Sequence, residues 1–268
     1  MKLFYRESGQ GLPLIILHGL FGSSDNWYTL AKTFAEHFKV YLVDQRNHGL
    51  SPQSEEHNYG LLTDDLEEFI QEHSLQSPVI LGHSMGGKTA MNFAVRFPAQ
   101  LSKLIVVDIV PKMYPVHHDA ILDGLKAITL KSLTTRNEAD RILSGFVPEQ
   151  AVRQFLLKNL SRKPEGGFEW KINLTALDQN IEAMGAGMIY SGKFEGPSLF
   201  IKGKKSNYYS PGDETMIKTI FPNADFTALD TGHWVQAEQP QEFAKVVLKF
   251  LIPCWTTLRI YCFWILKR

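Results

Sequence analysis

Short, unbroken apolar runs separated by helix-patterned stretches constrain this chain more than any other feature. Pro13 to Leu17 (PLIIL), Val40 to Val43 (VYLV), Pro78 to Leu81 (PVIL), Leu104 to Val107 (LIVV) and Pro197 to Ile201 (PSLFI) have almost nothing to offer water. Each reads as a strand buried on both faces. Between them Leu62, Leu66, Phe69 and Ile70 recur at helical spacing, as do Ala90, Phe93 and Ala94. This rhythm predicts a mostly parallel central sheet with helices on both faces, joined by right-handed crossovers.

From about Pro111 to Gly187 the rhythm stops. Ala120 to Ile128, Glu138 to Leu143, Glu149 to Leu160 and Ala176 to Met184 favour helix, with no clear strand between them. The strand pattern then resumes at Pro197. Residues 1–110 and 188–251 are therefore expected to form an α/β core, and residues 111–187 a helical cap over the carboxyl ends of the strands. Residues 252–268 form an atypical hydrophobic tail, IPCWTTLRIYCFWILKR, which Pro253 and Arg259 interrupt, so it offers no clear membrane span.

Lys and Arg total 28 against 28 Asp and Glu, which gives no electrostatic case for nucleic acid or an anionic surface. The two cysteines, Cys254 and Cys262, both lie in the tail, so neither a disulfide framework nor a cysteine-based zinc site is expected. The opening MKLFYRESGQG carries no signal-peptide core, and a cytoplasmic location is the expectation.

The chemistry centres on Gly82-His83-Ser84-Met85-Gly86, a G-x-S-x-G directly after one strand and directly before a helix. Such a turn thrusts the serine hydroxyl clear of the backbone. A serine needs a base. Of nine histidines, His233 in Asp230-Thr231-Gly232-His233-Trp234 is the best placed, after the last strand-like run (Phe226 to Leu229) and before the final helix. His37, His57 and His73 read as residues of polar helix faces or loops, His117-His118 as a surface pair of the cap, and His83 as a packing group. The acid is open between two aspartates. Asp108 ends the strand LIVVD, whereas Asp213 in SPGDETM sits where it would charge the first turn of a helix. The usual late aspartate position reads Gly203-Lys204-Lys205-Ser206, which leaves Ser206 as an auxiliary. For an oxyanion hole the backbone N–H of Leu20, or alternatively Phe21, pairs with that of Met85. His18 reads as a structural hydrogen-bonding group.

With these residues in place, the chain resembles the α/β-hydrolase superfamily over about residues 3–251. The motifs are HGLFGSSDNW (18–27), DQRNHGLS (44–51), GHSMGGK (82–88), VVDIVP (106–111) and GHW (232–234). Together they look most like the YbfF-type bacterial acyl-CoA esterases and their mitochondrial relatives. That resemblance implies the α/β-hydrolase fold, and it supports Ser84, His233 and Asp108 with Ser206 beside them. It also implies hydrolysis of short to medium acyl esters, and of acyl-CoA thioesters, without a cofactor or metal. Asp44, Arg46 and His48 of the second motif are expected to hold loops together. Phe21, Met113, Tyr114, Phe155, Trp170 and Trp234, with Phe146, are expected around the acyl group. Lys88 and the Lys202-Lys204-Lys205 cluster read as solvated surface lysines, or as contacts for a CoA phosphate. A carbon–carbon bond hydrolase or lyase, or a cofactor-free haloperoxidase, is the alternative on the same residues. A ligand-binding protein of the same fold is the non-enzymatic one. Epoxide hydrolases and dehalogenases carry aspartate where this chain has Ser84.

Overall fold

A computed structural model describes residues 1–115 and 119–252. The His117-His118 pair and all but the first residue of the tail lie outside them. The apolar runs form strands β2 (Pro13–Leu17), β3 (Lys39–Val43), β4 (Val79–His83), β5 (Lys103–Val107) and β8 (Ser198–Gly203). Two more complete the sheet: β1 (Tyr5–Ser8) and β9 (Ala224–Leu229). The order is β1-β3-β2-β4-β5-β8-β9, parallel throughout except for β1, which pairs antiparallel with β3. The chain thus belongs to the class of doubly covered α/β sheets that its sequence predicts.

The pleat sorts the strand residues into two cores. Ile15, Leu17, Tyr41, Val43, Leu104 and Val106 face α2 (Tyr59–Glu72) and α3 (Met85–Arg96), whose Leu66, Phe69, Phe93 and Ala94 join the same cluster. Their neighbours Leu14, Ile16, Val40, Leu42, Ile105 and Val107 face α1 (Tyr28–Phe34) and α11 (Pro240–Leu251). Alternation along the strand puts successive side chains on opposite faces, and here both faces are dry. Each fully buried Leu or Ile contributes about 1.5–3 kcal/mol. α2 begins where Asn58 accepts a hydrogen bond from the Leu61 N–H at 3.0 Å, and α11 begins on Pro240, which needs no N–H partner there.

Between β5 and β8 the chain leaves the sheet. It forms α4 (Asp119–Ala127), α5 (Arg136–Ser144), α6 (Gln150–Leu157), α7 (Leu174–Gln179) and α8 (Ile181–Gly185), packed round a third cluster that also takes in Phe21 and Met85 of the core. The absence of strands expected here is corrected. Leu160–Arg162 (β6) and Phe168–Trp170 (β7) pair as an antiparallel hairpin, ending the long helix expected from Glu149 to Leu160 at Leu157. Where the chain enters and leaves this insert, the two crossings touch. Tyr114 N–H donates to Gly185 C=O at 2.8 Å, and Met188 N–H to Pro111 C=O at 3.2 Å. Helix α9 (Asp213–Ile220) and the short α10 (Val235–Glu238) complete the described chain.

Candidate active site

Ser84 follows β4 with φ 52° and ψ −117°, a conformation that L-residues avoid and that neighbouring structure must hold. Two glycines make room for it. A Cβ on Gly82 would stand 2.1 Å from Gly86 C=O, and one on Gly86 would stand 2.5 Å from Leu17 C=O. The spacing of G-x-S-x-G is thus fixed by backbone contact on both sides of the serine. Ser84 N–H donates to Val107 C=O at 3.0 Å, which ties the turn to the end of β5.

One strand over, Asp108 also has positive φ, 50°, and its N–H donates to Ile201 C=O at 2.8 Å. Its carboxylate is fully buried. Oδ1 accepts the Gly203 N–H at 2.8 Å, and Oδ2 accepts both the Ser206 hydroxyl and His233 Nδ1–H, the latter at 2.8 Å. A carboxylate accepts only, so Nδ1 carries the proton and Nε2 is left as the basic nitrogen. Of the two aspartates that the residues left open, Asp108 is the one beside His233. Asp213 is committed elsewhere: Oδ2 takes Ser210 N–H at 2.7 Å and the Lys112 ammonium at 2.6 Å.

Two contacts hold His233 that sequence reading did not identify. The Tyr208 ring stacks on the imidazole, centroids 4.0 Å apart and planes 14° from parallel. His83 Nε2 meets the His233 carbonyl oxygen at 3.0 Å, so the residue beside the serine does pack, and it packs against the loop that carries His233. Burial holds the His83 pKa well below its ordinary value. The signal for Tyr208 was its place two residues past Ser206, whose Oγ accepts the Tyr208 N–H at 3.3 Å.

The turn after β2 closes with Gly22 N–H on Gly19 C=O at 2.9 Å. Phe21 N–H is spent on His48 Nε2 at 3.2 Å. Leu20 and Met85 line the same cavity, and the Met85 N–H, which opens α3, has no partner within the helix. The second motif braces this turn. Asp44 accepts Ser24 N–H and Leu50 N–H, Arg46 forms a bidentate buried pair with Asp65 at 2.6 and 2.9 Å, and His18 Nε2 accepts Gln45 N–H at 3.0 Å. His57 is wholly buried and does not lie on a polar face, as its setting suggested; its ring is 5.5 Å from that of His48.

Burial lowers the pKa of His18 to about 4, of His48 to about 3 and of His57 to about 2. A histidine depressed in the folded state takes up its proton more readily when unfolded. Stability is then full above pH 6.5 and falls as pH drops towards 4, with His18 alone worth about 3 kcal/mol by linkage. The urea midpoint is expected to be level from pH 8 to 7 and to drop steeply between pH 6.5 and 4; a level midpoint down to pH 4.5 would refute the shifts.

Ser84 and His233 open on one cavity of about 320 Å³. Leu20, Phe21, Met85, Ile109, Tyr114, Ile121, Val152, Phe155, Leu156, Met184, Tyr208 and Trp234 line it, from core and insert alike. Four of the expected aromatic residues are therefore there: Phe21, Tyr114, Phe155 and Trp234. Three other expectations are corrected. Met113 is 74% exposed and Phe146 40% exposed, both outside the lining, and Trp170 packs half-buried within the insert's own cluster. Lys88 is not a surface lysine but is fully buried. Lys202 pairs with Glu214 and Lys205 with Asp230, and Lys204 and Lys205 are exposed, as expected of solvated surface lysines. Among the described residues no group of acids, histidines or cysteines is arranged for a metal ion, and no helix is long and apolar enough to cross a membrane.

A strained strand-to-helix turn carrying Ser84, a buried aspartate–histidine pair and an apolar cavity at the carboxyl ends of a parallel sheet define the fold class, and the comparisons with known proteins agree. The family model of the alpha/beta hydrolase fold matches residues 13–141, and the chain belongs to that family. It is 37% identical to a zebrafish (Danio rerio) sn-1-specific diacylglycerol lipase ABHD11, over 91% of this chain and 80% of that protein. It is 34% identical to the esterase YbfF of Escherichia coli, over 89% of this chain and 92% of that one. A solved marine microorganism esterase superposes with a TM-score of 0.91 at 42% identity, covering 93% of this chain and 99% of that structure. The chain is a hydrolase of the YbfF-like esterase and lipase group.

Proposed function

We propose that this protein is a serine esterase that releases short to medium acyl chains through an acyl-serine intermediate. The observation that carries the reading is the apolar cavity that ends on Ser84 and His233. Ser84 Oγ attacks the ester carbonyl while Nε2 of His233 takes its proton. Asp108 holds the Nδ1–H tautomer and stabilises the imidazolium. The N–H groups of Leu20 and Met85 receive the oxyanion. Collapse breaks the C–O bond, and the alcohol leaves with the proton from Nε2. Water, deprotonated in turn by Nε2, attacks the acyl carbon and frees Ser84. Ser206 steadies the Asp108 carboxylate, and the insert acts as the cap that closes the acyl site.

The acyl-CoA reading is the finer one, and it has lost one expected phosphate contact, because Lys88 is buried. The test compares p-nitrophenyl esters from acetate to dodecanoate with acyl-CoAs of the same chain lengths. The expected result is a maximum of kcat/KM at short to medium esters, with acyl-CoAs about tenfold or more below. Acyl-CoAs above the matching esters would transfer the assignment to a thioesterase. Cleavage of a vinylogous diketone above both would transfer it to a carbon–carbon hydrolase.

A further inference from the structure

Lys88 lies in the first turn of α3, four residues beyond Ser84, whose C=O accepts its backbone N–H at 3.1 Å. Its side chain is fully buried, and no carboxylate pairs with it among the described residues. The ammonium donates to Ala186 C=O at 2.6 Å and lies over two rings, 5.3 Å from the Tyr59 centroid and 5.0 Å from that of Tyr114. A charge taken out of water must be compensated, and here a carbonyl dipole and two π faces do it. Burial brings its pKa down to about 8, which leaves it charged at neutral pH.

Each partner belongs to the neck of the insert or touches it. Tyr114 is on the entering crossing and Ala186 on the leaving one, and Tyr59 OH donates to Met184 C=O at 3.0 Å. Tyr114 OH in turn donates to Tyr208 C=O at 2.9 Å, on the residue that stacks on His233. Tyr59, Tyr114, Met184 and Gly185 all line the cavity. A single buried cation therefore gathers both crossings against the helix that follows Ser84.

We propose that Lys88 is a positioning residue that clamps the neck of the insert to α3 and so sets the shape of the acyl end of the cavity. It touches no substrate and acts through Tyr59, Tyr114 and the Met184–Ala186 segment. The consequence for acyl length rests on the esterase reading, whereas the clamp itself does not.

Lys88→Met keeps the stem and removes the charge. With p-nitrophenyl octanoate its KM is expected to rise about tenfold, while kcat on p-nitrophenyl acetate stays within about threefold of the parent. An unchanged chain-length profile in the folded variant overturns the proposal. Hydrogen exchange reads the clamp without any turnover. The Tyr114 and Met188 amides are expected to exchange about tenfold faster in Lys88→Met, with those of Ile105 and Val106 in β5 unaffected. Equal protection at the neck overturns the clamp, whereas a parent that cleaves no ester overturns only the esterase reading. Should the variant fail to fold, the parent decides. In mild urea its Tyr114 and Met188 amides remain protected together with α3 while α4 to α6 exchange, and exchange of the neck in step with those helices refutes the clamp.

Discussion

Ser84→Ala lowers turnover of p-nitrophenyl esters by about 10⁵-fold and leaves the protein folded. In the proposed mechanism this hydroxyl forms the acyl bond, and the proposed oxyanion donors and the apolar walls survive its removal. The residual rate is what those two features supply. Stability supplies an independent readout, since residue 84 sits at φ 52°. Alanine is strained there as serine is, so its melting temperature matches the parent's, whereas Ser84→Gly relaxes the turn and is stabilised by about 1 kcal/mol. Labelling with a fluorophosphonate followed by mass mapping places the adduct on Ser84 in the parent and nowhere in either variant. Ester turnover by Ser84→Ala at the parent's rate would end the proposed mechanism.

Asp108→Asn is the second large effect, about 10⁴-fold in kcat. The amide offers either its oxygen or its NH₂ to His233 Nδ1. The buried donors Gly203 N–H and Ser206 OH compete for the oxygen. The imidazole is then driven to the tautomer with its proton on Nε2, which cannot accept from serine. Asp213→Asn, by contrast, disturbs only the Lys112 contact and changes kcat by less than about threefold. Because Ser206 Oγ already touches Asp108 Oδ2, a carboxylate added at residue 206 lies near the imidazole. The double variant Asp108→Asn/Ser206→Asp is expected to recover about tenfold over the single change. A larger loss in Asp213→Asn than in Asp108→Asn would remove Asp108 from the mechanism.

Much of this was legible in the sequence because it is written in short-range terms. Buried parallel strands advertise themselves as unbroken apolar runs, and β2, β3, β4, β5 and β8 were found that way. The edge strand β1 was not, since YRES keeps three of its four residues exposed and owes its place to backbone pairing with β3. The G-x-S-x-G turn was legible because two glycines are demanded by backbone contact. The cavity wall was legible only in part. Tyr114 and Phe155 project into it, but Met113, next in sequence to Tyr114, points to solvent, and composition does not distinguish the two. Lys88 was misread because a lysine is assigned to water by default. Its place in the first turn of α3, directly after the G-x-S-x-G turn, was the available clue.

The meeting of Pro111 and Met188 has a further consequence. To the sheet, everything between those residues is a loop whose two ends start from one point. Closing a longer or shorter loop at such a point changes the free energy only with the logarithm of its length, about 0.6 kcal/mol per doubling. Inserts of other lengths are therefore expected to close there at little cost, provided that they keep Tyr114, whose OH donates to Tyr208 C=O beside His233, and the Met184–Ala186 segment held by Tyr59 and Lys88. On the proposed esterase reading, this makes the scaffold a socket, whose middle can be exchanged while the neck and the residues round Ser84 are kept.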